Sequence, residues 1–252
     1  MVTVTLTNQK GGVGKSTTAY ALATGLNNKG YRVLMVDMDA QSNLSYTAGV
    51  DLYNLESSMY DVFKGTATIH QAIQTVKIGL DIAVGGLKMT AADMEFTQIG
   101  REYLLKKALE QVNANYDYCI IDTPPTLGVL TMNALASSDK VIIPLFADIY
   151  SLQGVEQLEG FINNIKEYCN PTLEVSGLLL TKYNERTVIA QALQDSITTA
   201  AETLKTKVYD TRIRATVSVQ ESQLLKEDIY TSNPTATATI DYLAFVDEFL
   251  KN

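Results

Sequence analysis

Residues 8–18 read NQKGGVGKSTT, directly after the β-branched run Val2-Thr3-Val4-Thr5-Leu6-Thr7 and directly before a stretch of helical pattern. A strand, a glycine-rich turn and a helix in that order make a phosphate-binding loop. Glycines at 11, 12 and 14 let the backbone turn tightly and aim successive N–H groups at phosphate oxygens, and the helix start adds its partial positive charge. The cradle runs from Lys10 through Gly11, Gly12, Val13, Gly14, Lys15 and Ser16 to Thr17. Lys15 is placed to reach β- and γ-phosphates, and Ser16 to offer its hydroxyl to Mg²⁺.

The rest of the chain fits one large α/β unit built around that loop. Its 252 residues are 46% hydrophobic and 19% charged, enough to bury one extensive core and with no low-complexity stretch. Apolar runs at 2–7, 32–37, 79–84, 118–122, 140–145 and 174–181 predict strands. Helical spacing predicts helices at 15–29, 101–112, 152–168, 187–203 and 237–250. Such alternation implies a mostly parallel twisted sheet flanked by helices on both faces, and the fully apolar runs Cys119-Ile120-Ile121 and Val141-Ile142-Ile143 suit strands covered on both sides. The expectation is a single domain over 1–252, with no N-terminal helix-turn-helix because the first strand begins at residue 2.

No run approaches the roughly eighteen apolar residues of a membrane span, and no cleavable leader precedes the first strand, so a cytoplasmic protein is expected. Cys119, in an apolar strand, and Cys169, at a helix end, read as reduced structural residues, and His70 as part of a solvated face. The net charge is −8, yet residues 182–214 carry a local excess of basic over acidic groups through Lys182, Arg186, Lys205, Lys207, Arg212 and Arg214. A basic region on an acidic protein can bind DNA weakly through phosphates, and ordinary solvated helix faces give the same count.

Two further segments place acids at strand ends, where ligands of open α/β sheets bind. Asp37-Met38-Asp39-Ala40-Gln41 follows the second apolar run, and Ile120-Ile121-Asp122-Thr123-Pro124-Pro125 closes the fourth. An aspartate after an apolar strand is the Walker B arrangement, which places Asp122 to hold Mg²⁺ through water.

The loop departs from the strict G-x-x-x-x-G-K-[ST] pattern: Gln9 replaces its first glycine, and Lys10 precedes the glycine pair. In this it resembles the deviant Walker A motif, xKGGxGK[ST], of the ParA/MinD ATPases, of P-loop NTPase fold. The resemblance spans residues 2 to about 187 and is nearest to short ParA/Soj-type DNA partition proteins. It implies that Lys10 reaches across a nucleotide-sandwich homodimer to the partner's phosphates. It also makes 37–41 similar to switch I, usually D-x-D-P-Q, with Asp39 orienting the attacking water and Asp37 supporting the Mg²⁺ shell. Ala40 stands where the family has proline. Residues 123–128 resemble switch II.

By the same resemblance, Asn184 is the candidate adenine contact and Arg186 matches an arginine used for non-specific DNA binding. The segment 211–222 follows the family's T-V-I-P-R-N-V-R-L-S-E-A only in outline, with Ala215 and Ser218 in place of its arginines, so Arg212 and Arg214 are the candidate substitutes. The implied function is an ATP- and Mg²⁺-dependent ATPase of slow intrinsic turnover. It would dimerise with ATP, coat nucleoid DNA and be stimulated by a small centromere-binding, ParB-like adaptor. The alternative is a MinD-like ATPase that positions cargo at the membrane. The final helix sets Asp241, Asp247 and Glu248 against Lys251, which disfavours anionic lipid and stable membrane association.

Overall fold

In the computed structural model, which describes residues 1–146, 149–183 and 194–251, seven strands form one sheet. They are β1 (Val2–Leu6), β2 (Val33–Asp37), β3 (Ile73–Lys77), β4 (Leu80–Ala83), β5 (Tyr118–Asp122), β6 (Lys140–Phe146) and β7 (Glu174–Thr181). Their order is β3-β4-β2-β5-β1-β6-β7, parallel throughout except for the antiparallel β3–β4 edge pair. Among the described residues the α-helices of five residues or more are α1 (Lys15–Asn28), α2 (Asn43–Thr47), α3 (Met59–Lys64), α4 (Leu104–Glu110), α5 (Val129–Ala136), α6 (Ile149–Tyr168), α7 (Gln194–Thr203), α8 (Ser218–Leu225) and α9 (Thr237–Leu250).

Strand alternation sorts side chains onto the two faces of the sheet. Val33 and Met35 of β2, Ile120 of β5, Ile142 of β6 and Leu179 of β7 join one cluster with Leu22 and Leu26 of α1 and Phe245, Val246 and Phe249 of α9. The intervening residues face the other way. Leu34, Val36, Cys119 and Ile121 pack with Leu105 and Leu109 of α4, while Val141, Ile143, Leu178 and Leu180 pack with Leu158 and Ile162 of α6. Both faces are therefore covered, as a parallel sheet requires.

The six expected strands and the helices at 15–29, 152–168 and 237–250 are found within a few residues. The helix expected at 101–112 is a 3₁₀ turn over Arg101–Tyr103 followed by α4, and of that expected at 187–203 the described part is α7. Five of these elements escape a periodicity reading, the short helices α2 and α3 and three others. The edge strand β3 is half-buried along its length and returns through a tight turn at Gly79, whose φ is 76°. Helix α5 is buried on nearly every side and so has no polar stripe to betray its period. Helix α8 is short and mostly polar. Cys119 and Cys169 are free thiols, the former fully buried, and His70 is exposed. Among the described residues no helix is long and apolar enough to cross a membrane.

Candidate functional site

Three neighbouring strands, β2, β5 and β1, deliver the site. Leu6, Asp122 and Asp37 lie in line across the ladder, so the loop that leaves β1 emerges next to Asp122, with Asp37 one strand further on. The loop is held from several directions. Asn8 donates Nδ2 to the Pro144 carbonyl at 2.8 Å and accepts the Lys10 N–H on Oδ1 at 2.9 Å. Gly12 and Gly14 take φ of 75° and 86°, the left-handed region that favours glycine. Helix α1 then starts at Lys15 without a side-chain cap, which leaves its first N–H groups for an anion.

Lys15 is buried and donates to the Lys10 carbonyl at 3.2 Å. Burial lowers the pKa of its ammonium, while the Asp122 and Asp39 carboxylates pull it back up. Asp37 anchors the segment after β2: its Oδ2 accepts from the Ser45 N–H and hydroxyl at 2.9 and 2.7 Å, and its Oδ1 from the Asp39 N–H at 3.1 Å. Burial pushes the Asp37 carboxyl up to about 6 against those hydrogen bonds. Asp39 accepts the Gln41 N–H on Oδ1 at 3.0 Å and lines the cleft.

Asp122 is fully buried, and among the described residues neither of its carboxylate oxygens has a well-formed hydrogen bond. Burial and the adjacent Asp37 drive its pKa well above the usual carboxylate range, although the approaching Ser16 hydroxyl and Lys15 oppose the rise. An orphaned buried carboxylate beside a serine hydroxyl fits a hydrated Mg²⁺, which would satisfy both oxygens. Asp37, by contrast, has both oxygens engaged within the protein, so it is placed to orient the loop that carries Asp39.

A cleft of about 730 Å³ opens over the loop, lined by Gly11, Lys15, Ser16 and Thr17 and, from the segment around α8, by Ile213 to Thr216, Val219, Gln220, Gln223 and Leu224. The Gln223 amide donates to the Thr17 hydroxyl at 3.0 Å, and the Thr18 hydroxyl lies 3.2 Å from the Tyr242 hydroxyl of α9. Arg214 also lines the cleft, and its guanidinium is paired with Asp241 at 2.6 Å. Arg212 stacks over the Tyr183 ring and donates to its hydroxyl at 2.7 Å. The ammonium of Lys10 sits 5.5 Å from the centre of the Phe146 ring of its own chain. Asn184 and Arg186 lie outside the described residues.

Several contributors were not foreseen in the sequence. Ser45 lies eight residues after Asp37, whereas Thr181, Lys182, Gln223 and Tyr242 are far from the loop in sequence and are brought to it by folding. Gly85 left a trace as a Gly-Gly pair closing an apolar run. A Cβ there would meet the Asp37 and Asp39 carbonyl oxygens at 2.9 and 3.1 Å.

A family model described as an AAA domain matches residues 1–175. The chain is 35% identical over 251 residues to the sporulation initiation inhibitor protein Soj of Bacillus subtilis, covering 99% of this chain and 98% of that one. Among solved structures it superposes on cobyrinic acid a,c-diamide synthase of Mycobacterium smegmatis with bound ATP analog and magnesium. That match has 30% identity and a TM-score of 0.86, over 100% of this chain and 95% of that one. It likewise superposes on a plasmid partition protein of Borrelia burgdorferi bound to AMPPNP, with 25% identity, a TM-score of 0.80, and coverage of 99% and 98%. With a phosphate loop of the deviant lysine pattern, acids at the two neighbouring strand ends and this likeness along nearly its whole length, the chain belongs to the ParA/Soj-type ATPase family.

Proposed function

We propose that this chain is a single-domain, Mg²⁺-dependent DNA partition ATPase that closes as a homodimer around two ATP molecules. In that state it binds nucleoid DNA non-specifically in the cytoplasm, and a small ParB-like centromere-binding adaptor stimulates hydrolysis. The observation that carries the reading is the convergence of the loop, Lys15, Asp39 and Asp122, whose oxygens have no well-formed hydrogen bond among the described residues, at adjacent strand ends. The name of the B. burgdorferi relative, a plasmid partition protein, supports partition as the task.

The family resemblance and the geometry of the site together support the following division of labour. Loop N–H groups and the first turn of α1 bind the phosphate oxygens, and Lys15 adds a charge that the Asp122 and Asp39 carboxylates favour. Ser16 and Asp122 would hold Mg²⁺, which supplies charge neutralisation at the β- and γ-phosphates when bound. Asp39 has one oxygen committed to Gln41, leaving the other to orient the attacking water. Lys10 swings from Phe146 to the partner's phosphates on dimerisation, so hydrolysis waits for the second protomer. DNA contact comes from the ATPase domain itself, with Arg186, Arg212 and Arg214 as candidate donors.

Size-exclusion chromatography with light scattering, combined with phosphate release, tests this reading. The wild type should dimerise with ATP and Mg²⁺. Asp39→Ala should accumulate as an ATP-bound dimer, and Lys10→Ala should lose hydrolysis. A wild type that stays monomeric at saturating ATP and Mg²⁺ would overturn the mechanism.

A further inference from the structure

The C-terminal end of β7 grips the phosphate loop from outside the cradle. Thr181 donates its hydroxyl to the Val13 carbonyl at 2.7 Å, and the next residue, Lys182, donates Nζ to the Gly12 carbonyl at 2.8 Å. Consecutive residues of one strand end thus hold consecutive carbonyls of the loop. A trans peptide is planar with its N–H directed opposite to its C=O. Fixing the Gly12 and Val13 carbonyls therefore aims the N–H groups of Val13 and Gly14 to the other side, where the cradle lies.

Lys182 is the less ordinary member of this clamp. Its φ is 50°, a left-handed backbone that is costly for a residue with a Cβ. Thr181 and Tyr183 on either side are buried, whereas Lys182 is exposed at the rim of the cleft. Nothing in core packing calls for a long cationic side chain at this turn; the Gly12 carbonyl is what it reaches.

We propose that Lys182 is a positioning residue of the nucleotide site, presetting the loop's N–H groups through the Gly12 carbonyl before nucleotide arrives. The inference rests on reading the cleft as a nucleotide site. A loop preset only part of the time binds more weakly in proportion. The N–H groups concerned serve phosphates common to ATP and ADP, so both nucleotides should feel the loss equally.

The test uses the full chain as wild type, Lys182→Met, Lys182→Arg and Lys182→Gly. Titrations with fluorescent ATP and ADP analogues are paired with thermal melts of the nucleotide-free proteins. Lys182→Met should weaken both nucleotides roughly fivefold, as expected for loss of one solvent-exposed hydrogen bond of ordinary strength, and Lys182→Arg should restore most of the affinity. Lys182→Gly relieves the left-handed backbone, so it should melt no lower than wild type while binding as weakly as Lys182→Met. Unchanged affinity in Lys182→Met would overturn the proposal, and so would a loss confined to ATP, which would make Lys182 a γ-phosphate contact. A wild type that binds neither nucleotide would instead remove the nucleotide-site reading itself.

Discussion

Asp122 shows how a single residue can be costly to the fold and suited to a ligand. Its carboxylate is fully buried at the end of β5, beside Asp37, and has no well-formed hydrogen bond among the described residues. A hydrated cation would satisfy it, and the released cost would appear as ligand-dependent stability. Thermal unfolding with ATP should therefore rise further on adding Mg²⁺ in the wild type. A ligand at about one hundred times its Kd adds roughly 2.7 kcal/mol. In Asp122→Asn the Mg²⁺ increment should vanish while the shift from ATP alone remains. An undiminished increment in that variant would take Asp122 out of the metal site. Asp37, equally buried, has the opposite character, because Ser45 and the Asp39 N–H engage both of its oxygens.

At the scale of elements, the turn after β4 is packed against the segment that carries Asp39. Gly85 lies so close to the Asp37 and Asp39 carbonyl oxygens that a methyl group would have to displace backbone rather than a flexible side chain. Gly85→Ala is expected to cost about 1–3 kcal/mol in urea unfolding. It should also slow ATP hydrolysis by moving Asp39, and wild-type turnover in the variant would show that the two strand ends are not coupled. The same scale explains which elements were legible. Strands β1, β2, β5, β6 and β7 are apolar runs because both sheet faces are covered, and that burial writes itself into composition. Helix α5 has no amphipathic stripe for the same reason, since even its polar Thr131 and Asn133 are buried, and a segment without periodicity does not declare itself a helix.

Across the whole molecule, α9 ties the chain's C-terminal region to the phosphate loop. Phe245, Val246 and Phe249 pack on α1 and the sheet, while Tyr242 reaches Thr18. Phe245 is completely buried and stacks edge-on against Tyr209, with ring centroids 5.0 Å apart. Phe245→Ala should cost about 3–5 kcal/mol, read by chemical denaturation, and a loss under 1 kcal/mol would contradict this packing. Ile240 and Leu243 of the same helix are exposed, so its apolar content exceeds what the core takes up.

The loop with Lys10 and Lys15, the acids at 37, 39 and 122, and the parallel α/β class were all readable in the linear chain. Each depends on local chemistry: glycines where the backbone must turn, an acid where a buried strand ends, apolar runs where two faces are covered. Folding alone decided that Asp122 has no well-formed hydrogen bond among the described residues, that Arg212 and Arg214 are engaged by Tyr183 and Asp241, and that the end of β7 clamps the loop through Thr181 and Lys182. Those outcomes depend on which groups from distant parts of the chain come within hydrogen-bonding reach. Such distances are set by the order and register of the strands, which no local stretch of residues encodes.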